Sequence, residues 1–135
     1  MSWDIFVQNI PMEYKKIEDI PKDFNPEKIY KLKDFEKAIS SIFAGTDFSD
    51  PSWGIYEGDG YSIEFSLGSE EPKSGFAMHI RGNNTDAVTK IDTLLKMLKL
   101  RGIDAQTGEF FSPDEARESF REWQDFRDRA IERLL

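Results

Sequence analysis

Cysteine is absent from the chain, and histidine occurs once. Without thiols there is no disulfide framework, no thiolate zinc site and no cysteine nucleophile. A run of about 18 apolar residues, as a membrane helix needs, is also missing. The opening residues Met1-Ser-Trp-Asp-Ile-Phe-Val-Gln-Asn-Ile-Pro11 contain neither a basic leader nor a long apolar segment. The expectation is therefore a cytoplasmic protein without a signal peptide. A basic surplus is lacking too: 26 acidic and 18 basic residues leave a net charge of −8. That composition speaks against nucleic acid and anionic membrane as partners, because phosphate contacts need a positive footprint. It keeps a small domain dispersed and suits a basic protein partner. No internal repeat, low-complexity tract, metal motif or cofactor motif is found.

What is present is enough for one domain. A chain of 135 residues buries roughly two-thirds of its extended surface on folding, so 1–135 is read as a single α+β domain. Trp3, Ile5 and Val7 alternate with Asp4, Phe6 and Gln8, which is a strand closed by Pro11. Residues 9–31 hold Pro11, Pro21 and Pro26 together with regularly spaced apolar residues, as expected of an extended strap held against the domain. Leu32, Phe35, Ala38, Ile39, Ile42 and Phe43 recur at helical spacing, with Gly45 as terminator. Thr46–Ser52 is rich in turn formers and is read as a loop. Short strands at 53–57, 61–67 and 76–81 follow, joined by turns at Gly58-Asp-Gly60 and at 68–75. A second helix carries Ala87, Val88, Ile91, Leu94, Leu95 and Leu98, with Asn84 or Thr85 as its cap and Gly102 just past its end. An extended piece over 103–111 contains a Thr107-Gly108 turn. Ser112-Pro-Asp-Glu115 then opens a final helix through a capping box, and Phe120 and Trp123 are expected to dock it. The order β-α-β-β-β-α-(β)-α predicts a two-layer sandwich: an antiparallel sheet of about four or five strands with helices mainly on one face. The last helix either joins that layer or covers the open face.

Two consecutive strands point to the candidate site. In 61–67 and 76–81 the residues Tyr61, Ile63, Phe65, Leu67, Phe76, Met78 and Ile80 share one face at period two, and Ser62, Glu64, Ser66, Ala77, His79 and Arg81 share the other. A symmetric 68–75 turn places Glu64 opposite His79 and Ser62 opposite Arg81. If Glu57 pairs with Tyr61, Tyr56 joins the same patch. A carboxylate beside an imidazole raises its pKa and orients it, as acid–base chemistry requires, and an arginine can hold an anion. The same alternation also describes ordinary cross-strand pairs on a wet sheet, each contributing about 0.2–1 kcal/mol. Tyr56, Ser62, Glu64, His79 and Arg81 are therefore binding candidates, with Glu64, His79 and Arg81 as the catalytic alternative.

A second group is Asp47, Asp50, Glu57 and Asp59. Their spacing does not form a calcium loop, so they serve as acidic recognition residues and not as metal ligands. Gly54-x-x-x-Gly58-x-Gly60 lacks both the Lys-Ser/Thr and the helix start of a phosphate cradle, and no nucleophile-elbow sequence occurs.

Asp47-Phe-Ser-Asp-Pro-Ser-Trp-Gly54, Tyr61-Ser-Ile-Glu64, His79-Ile-Arg-Gly82 and Gly108-Glu-Phe-Phe111, together with the opening Met1–Pro11, resemble a family of small uncharacterised bacterial proteins. That resemblance covers nearly the whole chain and implies no activity. In size, acidity and α+β order the chain is also similar to immunity proteins that neutralise bacterial toxins. The functional expectation is a small protein-binding module, immunity-like, facing a basic partner. The alternative is a small-molecule-binding or enzymatic domain using Glu64, His79 and Arg81.

Overall fold

A computed structural model of the chain describes residues 2–82 and 85–134, with the side chains of Phe120, Trp123, Gln124 and Arg127 outside the description. Its strands are β1 (Trp3–Gln8), β2 (Asp47–Asp50), β3 (Trp53–Glu57), β4 (Tyr61–Ser66), β5 (Gly75–Gly82), β6 (Arg101–Asp104) and β7 (Glu109–Phe110). Its helices are α1 (Leu32–Ile42), α2 (Asp86–Leu98) and α3 (Pro113–Leu134), with a short 3-10 turn at Ile17–Asp19. All seven strands join one open antiparallel sheet in the order β2-β3-β4-β5-β1-β6-β7.

The inner face of this sheet forms the core. Ile5 and Val7 of β1, Ile63 and Phe65 of β4, and Met78 and Ile80 of β5 are buried with Phe35, Ile39 and Phe43 from the α1 segment and Ile91 and Leu94 of α2. The period-two and period-3.6 apolar patterns thus meet in one layer contact. At the start of α1, the Asp34 carboxylate accepts the Lys31 backbone N–H at 2.9 Å, and Gly45 follows its end with φ +86°. The strap is tied down as expected: Tyr30 and Lys73 exchange backbone hydrogen bonds at 3.0 and 2.7 Å, and the Tyr30 hydroxyl donates to the Leu98 carbonyl at 2.6 Å.

Four local expectations need correction. The sheet has seven strands, not four or five. Residues 47–50, expected as loop, form β2. Their aspartates are used locally, Asp47 Oδ1 accepting from Ser49 N and Asp50 Oδ1 from Ser52 N, while Phe48 turns inward onto Gly54. Polar composition thus concealed an edge strand whose single large apolar side chain reaches the core side. The extended piece before α3 is a hairpin of two strands, β6 and β7, added to the edge of β1. Gly102 does not terminate α2. The helix ends at Leu98, Lys99 takes the left-handed conformation, and Gly102 sits in β6, where a Cβ would meet Ile5, Leu95 and Phe111 at 3.1–3.2 Å.

α3 begins at Pro113, as the sequence requires, and joins the helical layer through its first turns. Ala116 is buried, and Arg117 donates to Thr89 Oγ1 of α2 at 2.8 Å. Further along, Phe126, Ile131 and Leu134 are exposed. The expected docking of Phe120 and Trp123 and the cap at Asn84 lie outside the described residues; Thr85 stands at the N-cap position of α2. No described helix is long and apolar enough to cross a membrane.

Candidate functional site: the open face of the sheet

The outward side chains of the sheet form rows that the strand registers specify. One row runs Trp53–Ser66–Ala77–Phe6–Ile103–Phe110, through pairs on six adjacent strands. The neighbouring row runs Asp47–Ile55–Glu64–His79–Asp4, and a shorter one runs Glu57–Ser62–Arg81. The face is therefore apolar along its middle and charged beside it. Phe6 is 45% and Ile55 40% exposed.

The expected opposition of Glu64 to His79 and of Ser62 to Arg81 is present in the register. The side chains, however, pair differently. His79 Nδ1 bonds Asp4 Oδ1 at 2.9 Å across the β1–β5 pair, and Arg81 Nη1 donates to Glu64 Oε1 at 3.3 Å. Because Asp4 is an acceptor, Nδ1 carries the proton, which leaves Nε2 as the acceptor of the neutral ring. The imidazole also stacks on Trp53, with centroids 6.2 Å apart and planes inclined by 23°. The hydrogen bond from His79 holds the Asp4 carboxyl below the usual carboxylate range; partial burial opposes this, and the Ser2 hydroxyl and the nearby charges assist.

A depressed carboxylate contributes stability above its unfolded pKa, and the contribution is lost as pH falls through the folded value. Asp4→Asn should therefore destabilise at neutral pH, with a deficit that begins to shrink only below about pH 3.8, the unperturbed value, and disappears as pH falls through the lower folded value. Side-chain exposures of 28% for His79 and 34% for Asp4 limit the loss to under about 1 kcal/mol. Urea unfolding of both proteins at neutral pH and well below pH 3.8 measures it; a deficit that persists undiminished at the lower pH would contradict the assignment.

Tyr56 does not belong to this face. The Asp59-Gly60 tip closes with a Gly58 N–H bond to the Tyr61 carbonyl at 2.8 Å, and Glu57 pairs with Ser62 instead of Tyr61. One residue of register moves Tyr56 to the core side, where its ring packs on Phe43 and Tyr61 at 5.1 and 5.8 Å. Glu57 takes its place beside Ser62.

The four acidic residues are spread along one side of the sheet. Asp47 and Asp50 stand on β2, Glu57 ends β3, and Asp59 lies in the hairpin tip. Bonds from Ser49 and Ser52 keep the Asp47 and Asp50 carboxyls below their usual range. Among the described residues, no group of three or more His, Asp or Glu could hold a metal ion.

Several members of the face lie outside the sequence-derived candidates, apart from Phe110, which with Phe111 forms an adjacent pair in an extended piece whose two rings face opposite ways. Asp4 and Phe6 were legible as outward residues of β1, but nothing local says that β1 lies beside β5. Trp53 follows from the corrected β3 register. Arg101 and Phe110 come together on β6 and β7, with the guanidinium carbon 3.8 Å from the ring centroid. No protein-family model, no curated protein and no solved structure matches the chain.

Proposed function

We propose that the chain is a small protein-binding module that docks a basic partner protein on the open face of its sheet. The observation that carries this reading is the largely apolar row from Trp53 to Phe110, interrupted by Ser66, lying on the side of the sheet opposite the helices and bordered by carboxylates. Partly exposed aromatic and aliphatic side chains with a charged rim are the composition of a docking site. The registers put Asp4, Asp47, Asp50, Glu57 and Glu64 on this face, against Arg81, Arg101 and His79. Such a surplus accelerates encounter with a positive partner. A cytoplasmic role like that of bacterial immunity proteins, which neutralise a toxin by covering it, fits this surface. Enzymatic use of Glu64, His79 and Arg81 fits it less well, because Glu64 is engaged by Arg81 and the imidazole by Asp4.

The test is capture from a lysate of the native cells with three baits: the wild type, Phe6→Asp/Ile55→Asp, and Asp47→Lys/Asp50→Lys/Glu57→Lys. A basic protein retained by the wild type and lost from both variants is expected. Its association rate should fall by about tenfold in the charge-reversed protein, and should fall with ionic strength. A partner held equally by all three baits would exclude this face.

A further inference from the structure

Resting on that reading, we infer that the partner is anchored by an arginine side chain laid over Trp53. Trp53 is half-buried, and His79 supports its ring. Among aromatic side chains, indole offers the strongest face to a cation. Its partner across the β2–β3 pair is Asp50, one strand spacing of about 4.8 Å away. The Asp50 carboxylate is oriented through Oδ1, which accepts Ser52 N–H at 2.9 Å and Ser52 Oγ–H at 2.7 Å. An aromatic face beside an oriented carboxylate matches a planar guanidinium, which stacks and donates from its edge in one pose. A lysine ammonium is a point charge that gains less from that arrangement.

The same sheet face shows this chemistry at its other end. There the Arg101 guanidinium lies 3.8 Å over the Phe110 centroid while Nη1 donates to the carbonyls of Pro11 and Tyr14 at 3.0 and 2.9 Å. Arg101 is supplied by the chain itself. At the Trp53 end the carboxylates of β2 and β3 leave a surplus of negative charge, which a partner arginine would balance.

Penta-arginine and penta-lysine peptides of equal charge separate stacking from charge attraction. Dissociation constants are measured by NMR at low and at physiological salt, following the indole N–H signal of Trp53. The arginine peptide should bind about threefold to tenfold more tightly and should move the Trp53 signal most. Trp53→Leu should abolish that preference while leaving the lysine peptide's affinity unchanged. Asp50→Asn, an exposed substitution that does not threaten the fold, should reduce the preference by about half or more.

Equal affinity of the two peptides, or a preference that survives Trp53→Leu, would overturn the arginine anchor. If the native partner still depends on the face in the capture experiment, the docking reading stands without it. If neither peptide binds at low salt and capture is insensitive to the face variants, both fall. Concentration-dependent dimerisation in sedimentation, lost in Trp53→Leu, would also overturn the anchor by showing that a second copy occupies the face.

Discussion

Phe65→Ala is expected to lower the unfolding free energy by about 3–5 kcal/mol, the largest effect of any single substitution considered. Phe65 is fully buried at the centre of β4, and its ring lies between Phe43 and Phe76, at centroid distances of 5.4 and 6.5 Å. Truncation removes apolar contact with both layers at once and leaves a cavity between a sheet and a helix that are each braced by other contacts. Typical domains of this size have a total stability of about 5–15 kcal/mol, so the variant should melt far below the wild type. Urea or thermal unfolding measures the difference. A loss below about 1 kcal/mol would mean that the α1 segment collapses into the space or that Phe65 is not central to the core.

Gly75→Ala is expected to destabilise by about 1–3 kcal/mol or more. At an unstrained strand position the same change restricts the unfolded chain and commonly stabilises by about 0.4–1 kcal/mol, so the sign is diagnostic. A Cβ on Gly75 would overlap the Val7 carbonyl oxygen and stand 2.9 Å from Gln8 Cα. These are backbone atoms of the paired strand, which cannot rotate away as a side chain would. Relief requires β1 and β5 to separate at the Val7–Phe76 and Gln8–Gly75 pairs, which would open the core at Val7. Amide exchange should therefore quicken at that end of β1 before it changes in β3. Unchanged or increased stability would show that the two backbones are not so close.

The inner faces were largely legible because their information is local. The alternation over 61–67 and 76–81 gave the buried set correctly, and Ile63, Phe65, Met78 and Ile80 are all essentially inaccessible. The symmetric 68–75 turn likewise yielded the observed pairing of Glu64 with His79. Errors arose where two structures satisfy the same local signal. A Gly-Asp-Gly tip closes a hairpin in either of two registers one residue apart, and only the packing of Tyr56 against Phe43 and Tyr61 selects between them. Asx-type bonds at Asp47 and Asp50 have the composition of a loop, yet they occur within β2.

The sequence by itself determined the α+β class, the three helices, the central hairpin and the division of its residues into core and outward faces. Each of these follows from apolar periodicity and turn chemistry within a few residues. Only the tertiary structure decided that the N-terminal strand is inserted between β5 and β6. That placement brings Asp4 to His79, across 75 residues of chain, and assembles Phe6, Ile103 and Phe110 into one row with Trp53. Strand neighbours distant in sequence are selected by the global burial of both partners' inner faces, a condition that no local pattern encodes.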